Sequence, residues 1–246
     1  MLRNSFLILI LFWLNAYCAL QAAPLNDTGQ TNFGNASSNS LTEEAADYPA
    51  QDARIGRDAA AKAGKLTKQG GGNAGFDFTK LDANGQDLPA SATNHVCVRD
   101  NVTGLVWEVK TNDKGLRDQN WTYTWYNSDD GSNGGSKGTA NGGKCFDSNN
   151  CDTEKYLAQV KQSRLCGFND WRLPKRLELM SIVDNSKVSP SIDSNYFPNT
   201  PSSGFWSSSP NTNYTDNAWY VYFSGGGVSY DDKYDKYAVR LARGGQ

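Results

Sequence analysis

The chain has 246 residues, enough for one large or two small domains, and only 38% of them are apolar. The formal net charge is −2, too weak to give the electrostatic footprint of a protein that binds nucleic acid. Seven Trp, twelve Tyr and ten Phe still supply bulk for a core, and nearly all the aromatic residues that follow residue 23 lie from Phe76 onward.

The first 23 residues have the pattern of a secretory signal peptide. Arg3 supplies a basic start, residues 5–14 are apolar, and small residues follow near position 22. The apolar stretch is too short for a transmembrane helix, and we expect no transmembrane segment further along the sequence. The expectation is an exported protein, secreted or held in the cell envelope. Cys18 follows the bulky Tyr17, so a lipoprotein is the less favoured form.

Residues 24–74 form a polar stretch rich in Gly, Ala and Asn, called the lead-in below. Asn35–Ser40 is close to low complexity, which favours an irregular or partly disordered segment. Arg57–Ala63 favours a short helix within it. The folded domain is predicted over residues 75–246.

Strands are predicted first in this domain, from alternating or apolar runs. They cover Phe76–Lys80, two pieces of Val96–Lys110 that include Leu105–Val109, and Trp121–Tyr126. Residues 127–143 hold six glycines among polar residues, which predicts a long surface loop.

Two helices follow the loop. Asp152 or Thr153 is expected to cap the first, which runs to about Ser163. The second is predicted over Lys175–Val183, after Pro174. Helical spacing gives each an apolar face for the core, namely Tyr156, Leu157 and Val160 on the first and Leu177, Met180 and Val183 on the second.

The remaining sequence predicts a set of β-strands. Phe205–Ser209 begins it, Ala218–Phe223 and Val228–Tyr230 flank a glycine turn, and Tyr237–Arg243 closes the sheet. Strands, a loop, two helices and further strands define an α+β plan with segregated helices.

Four cysteines follow the signal peptide, and an even number in an exported chain favours two disulfides. Three pairings exist; the tight polar loop around Cys145 and Cys151 favours their pairing, which leaves Cys97 with Cys166. Metal ligation is the alternative, but no pair has CxxC spacing and His95 is the only histidine.

An ordered set of motifs resembles the Lcl C-terminal domain family, named after a bacterial collagen-like adhesin. The motifs are Thr103–Glu108, Cys166–Pro174, Phe205–Ser208 and Ala238–Arg243, with weaker similarity at Leu25–Gln30. The resemblance implies a C-type-lectin-like fold of the formylglycine-generating-enzyme type, with a small twisted antiparallel sheet, two helices and long loops. It also implies adhesion, including binding to glycosaminoglycan-type polysaccharides.

The Tyr-, Ser- and Asp-rich tail also resembles the variable regions of retroelement-diversified lectin-fold proteins. The alternative is an ordinary polar hairpin. Sequencing the locus for a near-copy that differs only at adenines distinguishes the two.

The predicted ligand surface is the aromatic and polar face of the C-terminal hairpins, with further aromatics beside the glycine loop. Strand alternation puts Tyr220 and Tyr222 on one face, opposite Trp219, Val221 and Phe223 in the core. Tyrosine, serine and aspartate suit an adaptable binding surface. The predicted ligand-binding residues are Tyr220, Tyr222, Tyr230, Asp232, Tyr234, Tyr237, Trp121 and Trp125.

Catalysis has little support, because an activated nucleophile needs a base and the sequence has one histidine. No cofactor is required by the sequence; calcium is the one to consider, since oxygen-bearing side chains cluster around the glycine loop, but a solvated acidic loop is the favoured interpretation. The residues are Asp129, Asp130, Asp147, Asn149 and Asp152, with a second cluster at Asp231, Asp232 and Asp235.

These observations predict a binding module for an extracellular glycan or protein rather than an enzyme. An envelope protein that assembles with itself, as an oligomer without external ligand, is the main alternative. An enzyme of the formylglycine-generating type is the remote one.

Overall fold

The computed structural model describes residues 26–245, so the expected signal peptide lies outside the described residues. The helices are α1 (Gly56–Lys62), α2 (Thr153–Ser163) and α3 (Arg176–Met180). The strands are β1 (Phe78–Leu81), β2 (Asp87–Leu88), β3 (Cys97–Asp100), β4 (Leu105–Glu108), β5 (Gly204–Pro210), β6 (Asn217–Tyr222), β7 (Gly227–Asp232) and β8 (Ala242–Gly244). The α+β class is confirmed. Within residues 26–245, no helix has both the length and the apolar character needed to cross a membrane.

The strands form two antiparallel sheets. One has five strands in the order β2-β1-β3-β4-β8, and the other has three in the order β5-β6-β7. The prediction that Tyr237–Arg243 closes the C-terminal sheet is wrong, because β8 pairs with β4, with Arg243 opposite Val106. The chain returns to the first sheet because Val239 and Leu241 are buried in the same core as Val106.

The five-stranded sheet is buried on both faces around β4. Trp107 packs in one apolar cluster with Leu179 of α3, while Val106 packs in another with Tyr156 of α2. All four residues of β4 are buried. A strand covered on both faces reads as a continuous apolar run, which explains why the sequence predicted this strand so clearly.

The helix α2 follows its prediction closely. The Asp152 side chain accepts a hydrogen bond from Lys155 N, 2.8 Å away, and so caps the first turn. Tyr156 and Val160 are buried against the sheet. The helix ends at Arg164, whose φ of 51° is left-handed.

The predicted apolar stripe of the second helix is wrong at Leu177, whose side chain is 69% exposed. The helix α3 has only five residues. Leu179 is its buried residue, and Ile182 and Val183 reach the core from the turn that follows. Because that turn is not helical, the 3.6-residue period does not extend through it.

The lead-in lies against the domain, and its predicted short helix is confirmed as α1. Asn26 donates from Nδ2 to Asp100 Oδ2 at 2.7 Å, and Asn185 N donates to Thr28 O at 2.8 Å. The segment is irregular, as predicted, but these bonds tie it to the body of the fold.

Both expected disulfides are present. Cys97 on β3 bonds to Cys166 just after α2, and Cys145 bonds to Cys151 within the loop before α2. The first bridge fastens the five-stranded sheet to the helical segment, and the second closes a local loop.

Candidate functional site

The hairpin β6–β7 displays a concentration of exposed aromatic residues. The large apolar side chains exposed on this hairpin and its flanking turns are Tyr214, Tyr222, Val228, Tyr230 and Tyr234. Because exposed aromatic groups that lie together are typical of interaction surfaces, this hairpin is the best candidate site.

The register of β6 and β7 assigns these side chains to faces. Trp219 lies opposite Tyr230, and Tyr220 lies opposite Ser229. Directly opposed residues share a face, so Tyr230 lies with Trp219, on the face away from Tyr220 and Tyr222. The predicted division of this strand is confirmed, with Tyr220 and Tyr222 on one face and Trp219, Val221 and Phe223 on the other. The prediction is wrong in grouping Tyr230 with Tyr220 and Tyr222, and in placing Trp219 wholly in the core.

Trp219 is half-buried because α3 covers only part of the sheet. Val221 and Phe223 lie under the helix and the turn after it, and both are fully buried. Arg176, the first residue of α3, lies over Trp219, with its guanidinium carbon 4.3 Å from the ring centroid.

Tyr214, Trp219 and Tyr230 form a continuous set, called the aromatic row below. Tyr214 and Tyr230 stack with centroids 5.6 Å apart, and Trp219 meets Tyr230 edge-on at 5.2 Å. The side chains of Tyr214 and Tyr230 are 57% and 41% exposed. The exposed tyrosines of the row offer aromatic surface to solvent, which suits the C–H groups of a sugar or an apolar side chain.

A polar pair continues the same face. Asn217 lies opposite Asp232, and Asn217 Nδ2 donates to Asp232 Oδ1 at 3.1 Å. Both residues are half-buried. Carboxylate and amide groups beside an aromatic row can bind ligand hydroxyls. Asp232, which was predicted to bind ligand, therefore lies beside the aromatic row.

Tyr220 and Tyr237 belong mainly to the packing on the opposite face. Their rings stack at 4.4 Å, and Tyr237 also meets the buried Trp206 at 4.8 Å. Tyr237 Oη donates to Asp231 Oδ2 at 2.7 Å. Burial, followed by that bond, raises the pKa of Tyr237 well above its usual value.

Tyr222 and Tyr234 are exposed but lie away from the aromatic row. Tyr222 ends β6 on the Tyr220 face, and Tyr234 lies in the turn after β7. The hydrogen bond and negative charge of Asp232 raise the pKa of Tyr234. The structure thus distributes the predicted tyrosines over three places.

Of the two tryptophans predicted beside the glycine loop, Trp125 is buried and is not a surface platform, whereas Trp121 is half-buried. The segment Trp121–Tyr126 forms isolated bridges instead of the predicted strand. Trp125 is 1% exposed, and its Nε1 donates to Ser207 O at 2.9 Å. Trp121 is half-buried, and its Nε1 donates to Gly115 O at 2.7 Å.

Sequence reasoning missed Lys233, which anchors the glycine loop to the hairpin. Its buried Nζ donates to Asn133 O, Ser136 O and Thr215 O at 2.9, 2.6 and 2.6 Å, and lies 4.5 Å from the Trp125 ring centroid. A lysine in a turn gives no sequence signal for such a role. Gly138, at φ 81°, allows the glycine loop to approach the backbone of Trp125 closely, because a Cβ at this position would lie 2.2 Å from Trp125 O.

A cleft of about 450 Å³ lies between the start of α2 and the segment before α3. Leu157 and Leu173 contribute apolar walls, and Arg172 and Glu178 form an ion pair of 2.7 Å at its margin. The sequence analysis did not predict this cleft. The cleft has two aromatic lining residues, Trp125 and Tyr126, whereas the aromatic row has three.

Within residues 26–245, carboxylates gather in two groups close enough to share a cation, and each places one oxygen per residue within 4.8 Å of the others. They are Asp231, Asp232 and Asp235 near the hairpin, and Asp27, Asp52 and Asp58 in the lead-in. The loop acids proposed for calcium form neither group; Asp152, for example, caps α2. Burial and the neighbouring Asp58 raise the pKa of Asp27 to about 8.

The fold and the hairpin surface define a small disulfide-bonded α+β domain that exposes an aromatic surface. The sequence model of the Lcl C-terminal domain matches residues 96–243, which is more than half of the chain, and the protein belongs to that family. Comparisons with curated proteins and with solved structures give no match.

Proposed function

We propose that this chain is an exported, adhesin-like binding protein that recognises a glycan or protein ligand through the aromatic row. The observation that carries the proposal is the row itself, three stacked or edge-on aromatic rings with a polar pair beside them. Two disulfides suit an oxidising compartment outside the cytoplasm. The row with its polar pair favours a glycan over a protein ligand.

The proposed role is binding without catalysis. His95 is buried, and its Nε2 pairs with Tyr196 O at 2.7 Å. The four cysteines among residues 26–245 are all paired in disulfides, so they offer no thiol for chemistry of the formylglycine-generating type. These placements support a binding module.

A glycan array probed with the folded chain tests the proposal. We expect selective binding, and we expect Tyr230→Ala to weaken it about tenfold or more, as loss of a central aromatic contact does. Tyr48→Ala is the matched control, since Tyr48 is 44% exposed but lies in the lead-in. Equal effects of the two substitutions would contradict a site on the aromatic row.

A second candidate is self-assembly in the envelope. The strand β7 forms an edge of its sheet and exposes Val228 and Tyr230, and such an edge is a template for pairing with another copy. Sedimentation of the purified chain distinguishes the two functions. If the chain forms stable oligomers, if Val228→Lys dissociates them, and if the array shows no ligand, self-assembly is the function and the binding proposal is wrong.

A further inference from the structure

The three acids of the lead-in, called the acid triad below, are brought together by the start of the described chain and by α1. Asp27 lies in the first residues described, Asp52 precedes α1, and Asp58 lies in its first turn. One oxygen of each lies within 4.8 Å of the others. Asp58 is fully buried, Asp27 is 7% exposed, and Asp52 is partly buried.

The hydrogen bonds of the acid triad are incomplete. Gly75 N donates to Asp58 Oδ1 at 2.8 Å, and the Thr28 hydroxyl donates to Asp52 Oδ2. Asp27 Oδ2 is buried and accepts no hydrogen bond from an N–H group or a hydroxyl in residues 26–245. A Cβ on Gly75 would lie 1.7 Å from this oxygen, so Asp27 Oδ2 lies beside the amide that binds Asp58.

In the described part of the chain, the acid triad also has no direct ion-pair partner, although the charges of Arg57 and Lys68 lie nearby. None of the ion pairs formed among the described residues involves Asp27, Asp52 or Asp58. Gathering carboxylates away from water is costly unless a positive charge accompanies them. A bound cation would supply both a direct counter-charge to the triad and a partner for Asp27 Oδ2.

The donor atoms decide which cation fits. Every donor is a hard oxygen: the three carboxylates and Thr28 Oγ1, which lies 3.3 Å from Asp58 Oδ2. Such a set suits Ca²⁺ or Mg²⁺ rather than zinc or copper, which favour nitrogen or sulfur. The donors come from irregular segments, which tolerate the variable geometry of calcium better than the strict octahedron of magnesium.

We propose that the acid triad, with the Thr28 hydroxyl, binds one calcium ion and thereby fastens the lead-in to the domain. All four residues belong to the lead-in, and they adjoin its bonds to the body from Asn26 and to Thr28 O. Calcium therefore orders residues 26–75 without forming part of the aromatic row. Calcium binding by the acid triad does not depend on a glycan or protein ligand at the aromatic row.

Isothermal titration of the EDTA-stripped full chain with calcium chloride tests the proposal. We expect one calcium ion per chain, and a rise in Tm of roughly 5 °C or more at a calcium concentration about 100-fold above Kd. Calcium should also slow proteolysis within the lead-in. Magnesium chloride at the same concentration should have a much smaller effect.

Two matched substitutions locate the site. Asp58→Asn should weaken calcium binding at least tenfold, and its Tm in EDTA should equal or exceed that of the wild type, because one like charge is gone. Asp235→Asn, in the other carboxylate group, should bind calcium as the wild type does. Should Asp58→Asn fail to fold, the same loss of binding is expected for Asp52→Asn, at a less buried position.

Three results would overturn the proposal. They are no calcium binding up to about 5 mM, beyond the range of weak extracellular sites; full binding by both Asp58→Asn and Asp52→Asn; and loss of binding by Asp235→Asn with retention by the two triad variants. An equal response to magnesium would overturn the assignment to calcium.

Discussion

Glu108 is completely buried, and it binds one neighbour in the sequence and two residues near the end of the domain. Lys110 Nζ lies 3.0 Å from Oε1, Leu241 N donates to Oε2 at 2.9 Å, and Arg240 Nη1 donates to the Glu108 carbonyl at 3.2 Å. The ion-pair partner Lys110 is two residues away, but Arg240, which binds the backbone carbonyl, could not be identified from the sequence because it lies 132 residues further along the chain.

His95 gives the fold a predictable response to acid. Burial, and secondarily the charge of Lys80, lower the pKa of this imidazole, against the opposing bond to Tyr196 O. The unfolded chain, with a histidine pKa of about 6.5, therefore binds a proton before the folded protein does. Above about pH 6.5 this histidine does not reduce the free energy of unfolding. As the pH falls below that value, the free energy of unfolding decreases by up to about 1.4 kcal/mol per pH unit.

Urea unfolding at pH 7.5 and 5.5 tests this effect of His95. We expect the wild type to lose more free energy of unfolding over this interval than His95→Gln, whose amide can still donate to Tyr196 O. The carboxylates titrate alike in both proteins, so the difference isolates the imidazole. Equal losses in the two proteins would show that the pKa of His95 is the same in the folded and unfolded states.

The elements that the sequence predicted correctly have local signals. Asp152 marks the start of α2, and the apolar run of β4 reports its burial. The wrong predictions depended on packing by other segments. Leu177 lies on the exposed side of α3, whose buried residue is Leu179. Residues 121–126 form no strand because they bridge to several different segments, including Lys144 and Tyr237.

The attachment of the glycine loop depends on Lys233, and Lys233→Met should release it. The substitution leaves three carbonyl oxygens without their donor, at a cost of about 1–3 kcal/mol to the free energy of unfolding. Hydrogen exchange should accelerate in residues 127–143, while the cores of β6 and β7 stay protected. Lys236→Met is the control, since Lys236 is exposed in the same turn. Unchanged exchange in the loop of Lys233→Met would contradict an anchoring role.

Over the whole molecule, the family and the hairpin's exposure could be predicted, but the composition of the site could not. Motifs and strand alternation identified the β6–β7 region. They could not show that Tyr237 covers Tyr220, or that Trp219 extends beyond the cover of α3, because both facts depend on the second sheet and the short helix. Diversification of the hairpin stays a prediction from its composition.

The two disulfides should contribute unequally to the stability of the whole molecule. Cys97–Cys166 closes a span of 69 residues, and Cys145–Cys151 a span of 6. Because a longer loop removes more entropy from the unfolded chain, the first bridge should contribute about 4 kcal/mol and the second about 2 kcal/mol. Guanidinium unfolding of the two double Cys→Ser variants measures both losses. Equal losses, or a larger one for the Cys145–Cys151 pair, would mean that the longer bridge does not hold the sheet to the helical segment in the way its loop length implies.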